Sequence, residues 1–167
     1  MRLEKIDNGQ MRLVSGLLSG IKGDHEFIDF ETMNKFHRAQ KDSVTFWKNQ
    51  RGSLLGYTIL FALNNHGIEK IKSNRIRKTS ELTVEDLADD YYSAPGYFLA
   101  MIHRVGAKNF NMSHDFFRYF EEEFGGRVLY SSPITKDGEK ILLNRGFVKI
   151  DSKSHIVKFK KEIHVTK

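Results

Sequence analysis

Tyr97-Phe98-Leu99-Ala100-Met101-Ile102-His103-Arg104-Val105 runs into Gly106-Ala107-Lys108-Asn109-Phe110-Asn111, and from there into Met112 to Phe124. The first part is a nearly continuous apolar run of strand length, as expected of a central strand covered on both faces. The middle is a polar loop. The last part repeats Met112, Phe116, Phe120 and Phe124 along one helical face, with Phe117 flanking it, and stops at Gly125-Gly126. Strand, loop and helix are contiguous, which places the chain among α/β proteins.

Upstream, residues 1 to 7 alternate loosely as a first strand, and Asp7-Asn8-Gly9 is a turn and cap signal. Met11, Val14, Leu18 and Ile21 follow at helical spacing and Gly23-Asp24 closes that helix. A second helix is expected from Asp29 to Gln40, capped by Asp29, with Phe30, Met33 and Phe36 on one side. Ser43 to Asn49 and Ser53 to Leu63, split by Gln50-Arg51-Gly52, read as a hairpin. Asn64 to Pro95 is a polar excursion in which Thr83 can cap a short helix. Downstream, Arg127 to Ile134 makes a strand and Asp137 can cap a short helix ending at Gly146. Phe147 to Ile150 and His155 to Lys161 form a closing hairpin.

With 167 residues and 40% hydrophobic content, the chain is expected to fold as one domain over residues 1–167. Cysteine is absent, which removes disulfides, thiolate metal sites and a cysteine nucleophile. The seven histidines include no His-x-Glu or His-Glu-x-x-His pair, so no metal site is expected. The charged start Met1-Arg2-Leu3-Glu4-Lys5 and the lack of a long apolar run point to a cytoplasmic protein with no membrane partner. A net charge of +6 admits an anionic partner, such as a nucleic acid, a phosphorylated cofactor or a membrane surface, beside the plain reading of a solvated basic surface. Lys70 to Lys78 and the lysines from Lys149 to Lys161 are the residues that would track a phosphate backbone.

The order of elements, with Trp47-Lys48-Asn49-Gln50-Arg51-Gly52-Ser53-Leu54-Leu55-Gly56-Tyr57 as second and third strands and Ile141-Leu142-Leu143-Asn144-Arg145-Gly146-Phe147 near the end, resembles the GNAT acyltransferase superfamily. The resemblance covers essentially the whole chain and lies more in topology than in motif. It implies a mixed, mostly antiparallel sheet flanked by helices, and acyl transfer from acetyl-CoA or another acyl-CoA to an amine on a small molecule or a protein. It also implies that the loop after the central strand holds the pyrophosphate through backbone N–H groups at a helix start. The residues so implied are Val105, Gly106, Lys108, Asn109, Phe110, Asn111 and Met112. Here asparagine stands at both positions where the family pattern has glycine. Leu142 occupies the position where many members carry a tyrosine that protonates the departing thiolate. Tyr130, Ser131 and Ser132 would line the slot for the pantetheine arm.

An amine must lose a proton before it attacks a thioester, which calls for a base within direct or one-water reach. His103, at the end of the strand that leads into the loop, is the first candidate. Asp90, just before that strand, and Glu26, between the first two helices, are the others, and Tyr91 and Tyr92 could contact substrate. Two other readings use the same fold: a binding module without the reaction, and group transfer to a nucleic-acid base or a tRNA-linked amine. The surplus of aromatics on the helix from Met112 to Phe124 leaves room for a homodimer.

Overall fold

The computed structural model describes residues 1–7, 9–19, 29–106, 111–133, 135–151 and 155–159. In chain order the elements are β1 (Arg2–Lys5), α1 (Met11–Ser19), α2 (Phe30–Ala39), β2 (Val44–Lys48), β3 (Leu54–Leu63), α3 (Asn65–Lys72), β4 (Gly96–Arg104), α4 (Met112–Phe124), β5 (Val128–Ser131), α5 (Lys136–Asn144), β6 (Val148–Lys149) and β7 (Val157–Phe159). The strands form one seven-stranded sheet in the order β1-β2-β3-β4-β5-β7-β6. All neighbours are antiparallel except β4 and β5, which run parallel. The connection between that pair is α4, as a parallel pair requires a crossover.

Alternation along the strands divides the core into two layers. Tyr57, Ile59, Phe61, Phe98 and Tyr130 face one side, where Met11 and Val14 of α1, Met33 and Phe36 of α2, and Ile68 and Ile71 of α3 pack on them. Trp47, Leu60, Tyr97, Leu99 and Leu129 face the other, beneath Phe116, Phe117, Phe120 and Phe124 of α4 and Leu142 of α5. The second layer is mostly aromatic. Tyr97 lies 4.4 Å from Phe124 between ring centroids, and Phe116, Phe117 and Phe120 form edge-on or tilted pairs. The aromatics of α4 that exceed one narrow stripe are thus absorbed by the sheet.

Several boundaries differ from the sequence reading. The expected end of the first helix, through Ile21 to Gly23-Asp24, lies outside the described residues. Asp29 caps α2 as expected, accepting from the backbone N–H of Thr32 at 2.9 Å. Thr135, not Asp137, caps α5, because its hydroxyl accepts from the Gly138 N–H. β5 ends at Ser131, short of the expected Ile134; Pro133 has no N–H to offer a ladder. The polar excursion contains α3, which shows only Ile68 and Ile71 to the core.

The excursion is tied down by ions. Asp86, fully buried, accepts two bonds from Lys70 Nζ at 2.8 Å and further bonds from the Thr83 N–H and hydroxyl. Burial pushes its pKa up, but the Lys70 and Thr83 bonds outweigh this and hold the carboxyl below its ordinary value. Lys72 meets Glu69 and Arg77 meets Glu81. Much of the basic cluster from Lys70 to Lys78 is therefore matched with carboxylates from its own segment.

Candidate active site

The site begins with one residue in β4. Ile59 of β3 pairs with Met101 and the next residue, Leu60, pairs with Leu99, so Ala100 has no partner and bulges. A bulge bends its strand and increases the local twist. On the opposite edge, β4 and β5 pair from Gly96↔Val128 only as far as Leu99↔Ser131. The two strands separate where the bulge falls. The Ser131 hydroxyl closes the last rung by donating to the Leu99 carbonyl at 3.0 Å, and Ser132-Pro133 then leads away into α5.

This separation opens a cavity of about 300 Å³. Leu99 to His103 form one wall, Ser131 to Pro133 the facing one, Ser113 and Phe117 of α4 the third, and Thr135, Gly138, Ile141 and Leu142 the last. A parallel strand edge facing an open slot leaves N–H and C=O groups without a ladder, and an amide-bearing ligand can take those bonds. Leu142, 5% exposed, brings an apolar surface to the place where the resemblance implied a tyrosine.

The start of α4 lies at the mouth of the slot. Asn111 accepts from the His114 N–H at 3.2 Å and from the Ser113 hydroxyl at 3.0 Å, and so caps the helix. Gly106 has φ +83, a conformation that favours glycine. The Val105 N–H donates to the Leu55 carbonyl at 2.7 Å, fixing the point where the chain leaves the sheet. Met112 lies over Gly56, where any Cβ would overlap the Met112 sulfur and the His103 carbonyl. The Leu55-Gly56-Tyr57 motif thus has a steric cause: only glycine lets α4 begin this close to β3.

His103 pairs in register with Tyr57, and their rings lie 5.1 Å apart at 36°. Burial pushes its pKa below the ordinary 6.5, so at neutral pH the imidazole is unprotonated and can accept a proton.

The remaining expected residues divide by position. Ser131 and His103 line the cavity, while Val105, Gly106, Asn111 and Met112 do not line it but flank it in the chain, near His103 and Ser113 of its lining. Asp90 precedes β4 at the end away from the loop, and β4 from Gly96 to His103 alone spans roughly 23 Å at ~3.3 Å per residue. Its exposed carboxylate bonds with Ser93 and with the backbone N–H of Tyr92, and these contacts lower its pKa. Glu26, Lys108, Asn109 and Phe110 lie outside the described residues. Tyr130 faces the α1–α2–α3 layer and does not line the cavity. Tyr91 is buried, donating to the Leu60 carbonyl, and Tyr92 stacks on Phe124. The Ala100 bulge, Ser113, Thr135 and Gly138 were not read from the sequence. Small polar residues and an alanine carry no pattern, and a bulge shows only once strand register is known. Among the described residues no group of three or more histidines and carboxylates gathers as a metal site, and no helix is long and apolar enough to cross a membrane.

At the level of sequence nothing matches, neither a protein-family model nor a curated protein. Structures do match. A GNAT-like decarboxylase, GphF, solved with isobutyryl-CoA, is similar at TM-score 0.59 and 10% identity, over 87% of this chain and 72% of that one. A spermidine N-acetyltransferase chimera of Vibrio cholerae SpeG and hSSAT is similar at TM-score 0.57 and 9% identity, over 96% of both chains. A mosquito arylalkylamine N-acetyltransferase-like protein is similar at TM-score 0.55 and 10% identity, over 94% of this chain and 96% of that one. With its parallel β4–β5 pair opening into a slot within an otherwise antiparallel sheet, the chain has the GNAT fold.

Proposed function

We propose that this protein is an acyl-CoA-dependent N-acyltransferase that moves an acyl group directly onto an amine. The observation that carries the reading is the cavity between β4 and β5 with the capped start of α4 at its mouth. The pantetheine arm, an extended chain with two amides, fits a slot lined by a free strand edge. The pyrophosphate fits the loop Val105 to Met112, including Lys108, Asn109 and Phe110, where helix N–H groups and a lysine favour an anion. Ser131, at the closed end of the slot, lies where the acyl group would reach.

In this reading His103 takes a proton from the acceptor amine, whose nitrogen attacks the thioester carbonyl. The tetrahedral intermediate then collapses with cleavage of the C–S bond, and the CoA thiolate leaves. With Leu142 in the wall, the thiolate gains its proton from water or from the ammonium formed on attack. Glu26 remains a second candidate base. Asp90 would need an acceptor that extends to the far end of β4.

Two measurements test this. Thermal unfolding with acetyl-CoA and desulfo-CoA is expected to show saturable stabilisation, about 2.7 kcal/mol at ~100 times Kd. A short DNA duplex serves as comparator for the nucleic-acid reading: a shift with DNA and none with either CoA compound would overturn the proposal. With an acceptor found, kcat/KM should rise with pH to a plateau whose midpoint lies below 6.5, the ordinary imidazole value. His103→Gln should remove that limb, and a profile unchanged by His103→Gln would exclude it as the base.

A further inference from the structure

The closed end of the cavity is built from core residues. Leu99, Phe117 and Leu142 line it and belong at the same time to the buried layer beneath α4, being 4%, 7% and 5% exposed. Their depth follows from the topology. Leu99 stands at the last rung of the β4–β5 pair, opposite Ser131. β4, β5 and β6 run in the same direction, so α4 and α5 both start at the open end of the slot and run back toward the closed one. Phe117 is one helical turn deeper than Ser113, and Leu142 two turns deeper than Thr135. The Phe117 ring is braced by Phe147 at 5.7 Å between centroids. Three elements therefore fix an apolar floor with the rigidity of the core.

The serine hydroxyls of the lining are engaged by the fold. Ser131 donates to the Leu99 carbonyl at 3.0 Å, Ser132 to the Arg77 carbonyl at 3.1 Å and Ser113 to Asn111 Oδ1 at 3.0 Å. At the floor, the surface that meets a ligand is the hydrocarbon of Leu99, Phe117 and Leu142.

We propose that this floor is an acyl-chain pocket and that the protein prefers an aliphatic acyl group of butyryl length to acetyl. This rests on the acyltransferase reading and deepens it by naming the class of donor. A thioester at the closed end directs its acyl carbons at the floor. Each added methylene then leaves water for hydrocarbon, which is worth about fourfold in affinity. A carboxylate carried to the same depth would exchange water for hydrocarbon and be penalised.

Calorimetric titration of the parent protein with acetyl-, propionyl-, butyryl- and succinyl-CoA, without an acceptor, reads this directly. Butyryl-CoA should bind about fifteenfold more tightly than acetyl-CoA, with propionyl-CoA between them. Succinyl-CoA, of the same chain length but charged, should bind no better than acetyl-CoA. Leu142→Phe and Leu142→Tyr place a ring at the floor, and each should bring the ratio of butyryl-CoA to acetyl-CoA affinity to within about twofold. Melting curves show whether the variants fold; if neither does, the series on the parent decides alone.

Equal affinity for acetyl- and butyryl-CoA would overturn the proposal, as would succinyl-CoA binding as tightly as butyryl-CoA. A butyryl preference that both folded variants keep intact would place the acyl chain away from Leu142 and overturn the floor as its pocket. Failure of every CoA compound to bind, desulfo-CoA included, would instead fall on the acyltransferase reading itself.

Discussion

Gly56 shows how one residue couples the sheet to the site. It belongs to β3, away from the slot, yet it is the point over which α4 begins. A methyl group there meets the Met112 sulfur and the backbone oxygen of His103, and a backbone atom cannot rotate away. Gly56→Ala should therefore push the first turn of α4 outward. Overpacking of this kind costs about 1–3 kcal/mol, measurable by urea unfolding. Because the displaced turn is the one proposed to face phosphate, CoA affinity should fall as well. A variant that binds CoA normally would show that the loop adapts independently of Met112. Leu142 makes the complementary point: a residue that departs from the family pattern is a buried wall of the cavity, so the leucine is accommodated by packing.

At the scale of elements, the junction between loop and α4 serves two ends that can be separated. Asn111 caps the helix and also stands where the proposed function would bring a phosphate. Asparagine and aspartate cap about equally well, whereas alanine costs about 1 kcal/mol. Asn111→Ala should lower thermal stability. Asn111→Asp should leave it nearly unchanged while weakening acetyl-CoA binding at least about tenfold, through charge repulsion worth ~1.4 kcal/mol. Calorimetric titration beside a melting curve reads both, and equal CoA affinity for Asn111→Asp and the parent would move the phosphate away from this helix start.

The elements legible in the sequence were those with a strong period or a glycine stop: the β2–β3 hairpin, β4, and α4. The sequence hid α3, whose two isoleucines in a polar segment give too weak a stripe, and the cap of α5, where Thr135 and Asp137 both qualify by type. Of the candidate site, the place of His103 at the end of β4 followed from position on the strand, whereas the loop was expected from the family order and its Lys108, Asn109 and Phe110 lie outside the described residues. The slot did not, because it depends on the Ala100 bulge and on β5 stopping at Ser131, and both are matters of register between segments distant in the chain.

Across the whole molecule, several basic residues are matched with carboxylates within the fold, and the surplus of +6 lies beyond these pairs. Lys70, Lys72 and Arg77 face Asp86, Glu69 and Glu81, and Lys149 faces Glu139. Global stability should depend on pH through a different set of groups. His37 on α2 is 1% exposed, and its Nδ1 has no partner among the described residues. Burial lowers its pKa from the ordinary 6.5, helped by Lys41 and opposed by Asp42 and Asp7. His103 is lowered by burial alone.

For both histidines the unfolded chain binds a proton at a higher pH than the folded one. Stability is therefore full above the unfolded value and is lost as pH falls below about 6.5, with a limiting slope of ~1.4 kcal/mol per pH unit for each fully titrating group. The carboxylates with lowered pKa, including Asp29 and Asp86 with an ordinary value of 3.8, act only in more acid solution, so the two windows do not overlap. Urea unfolding between pH 7.5 and 5.5, a range of about two units around the histidine value, should show falling stability in the parent. His37→Leu should show a shallower fall, since it removes one of the two groups. Parallel curves would mean that His37 keeps its ordinary pKa in the folded protein, and that its buried nitrogen is solvated in a way the packing of α2 does not reveal.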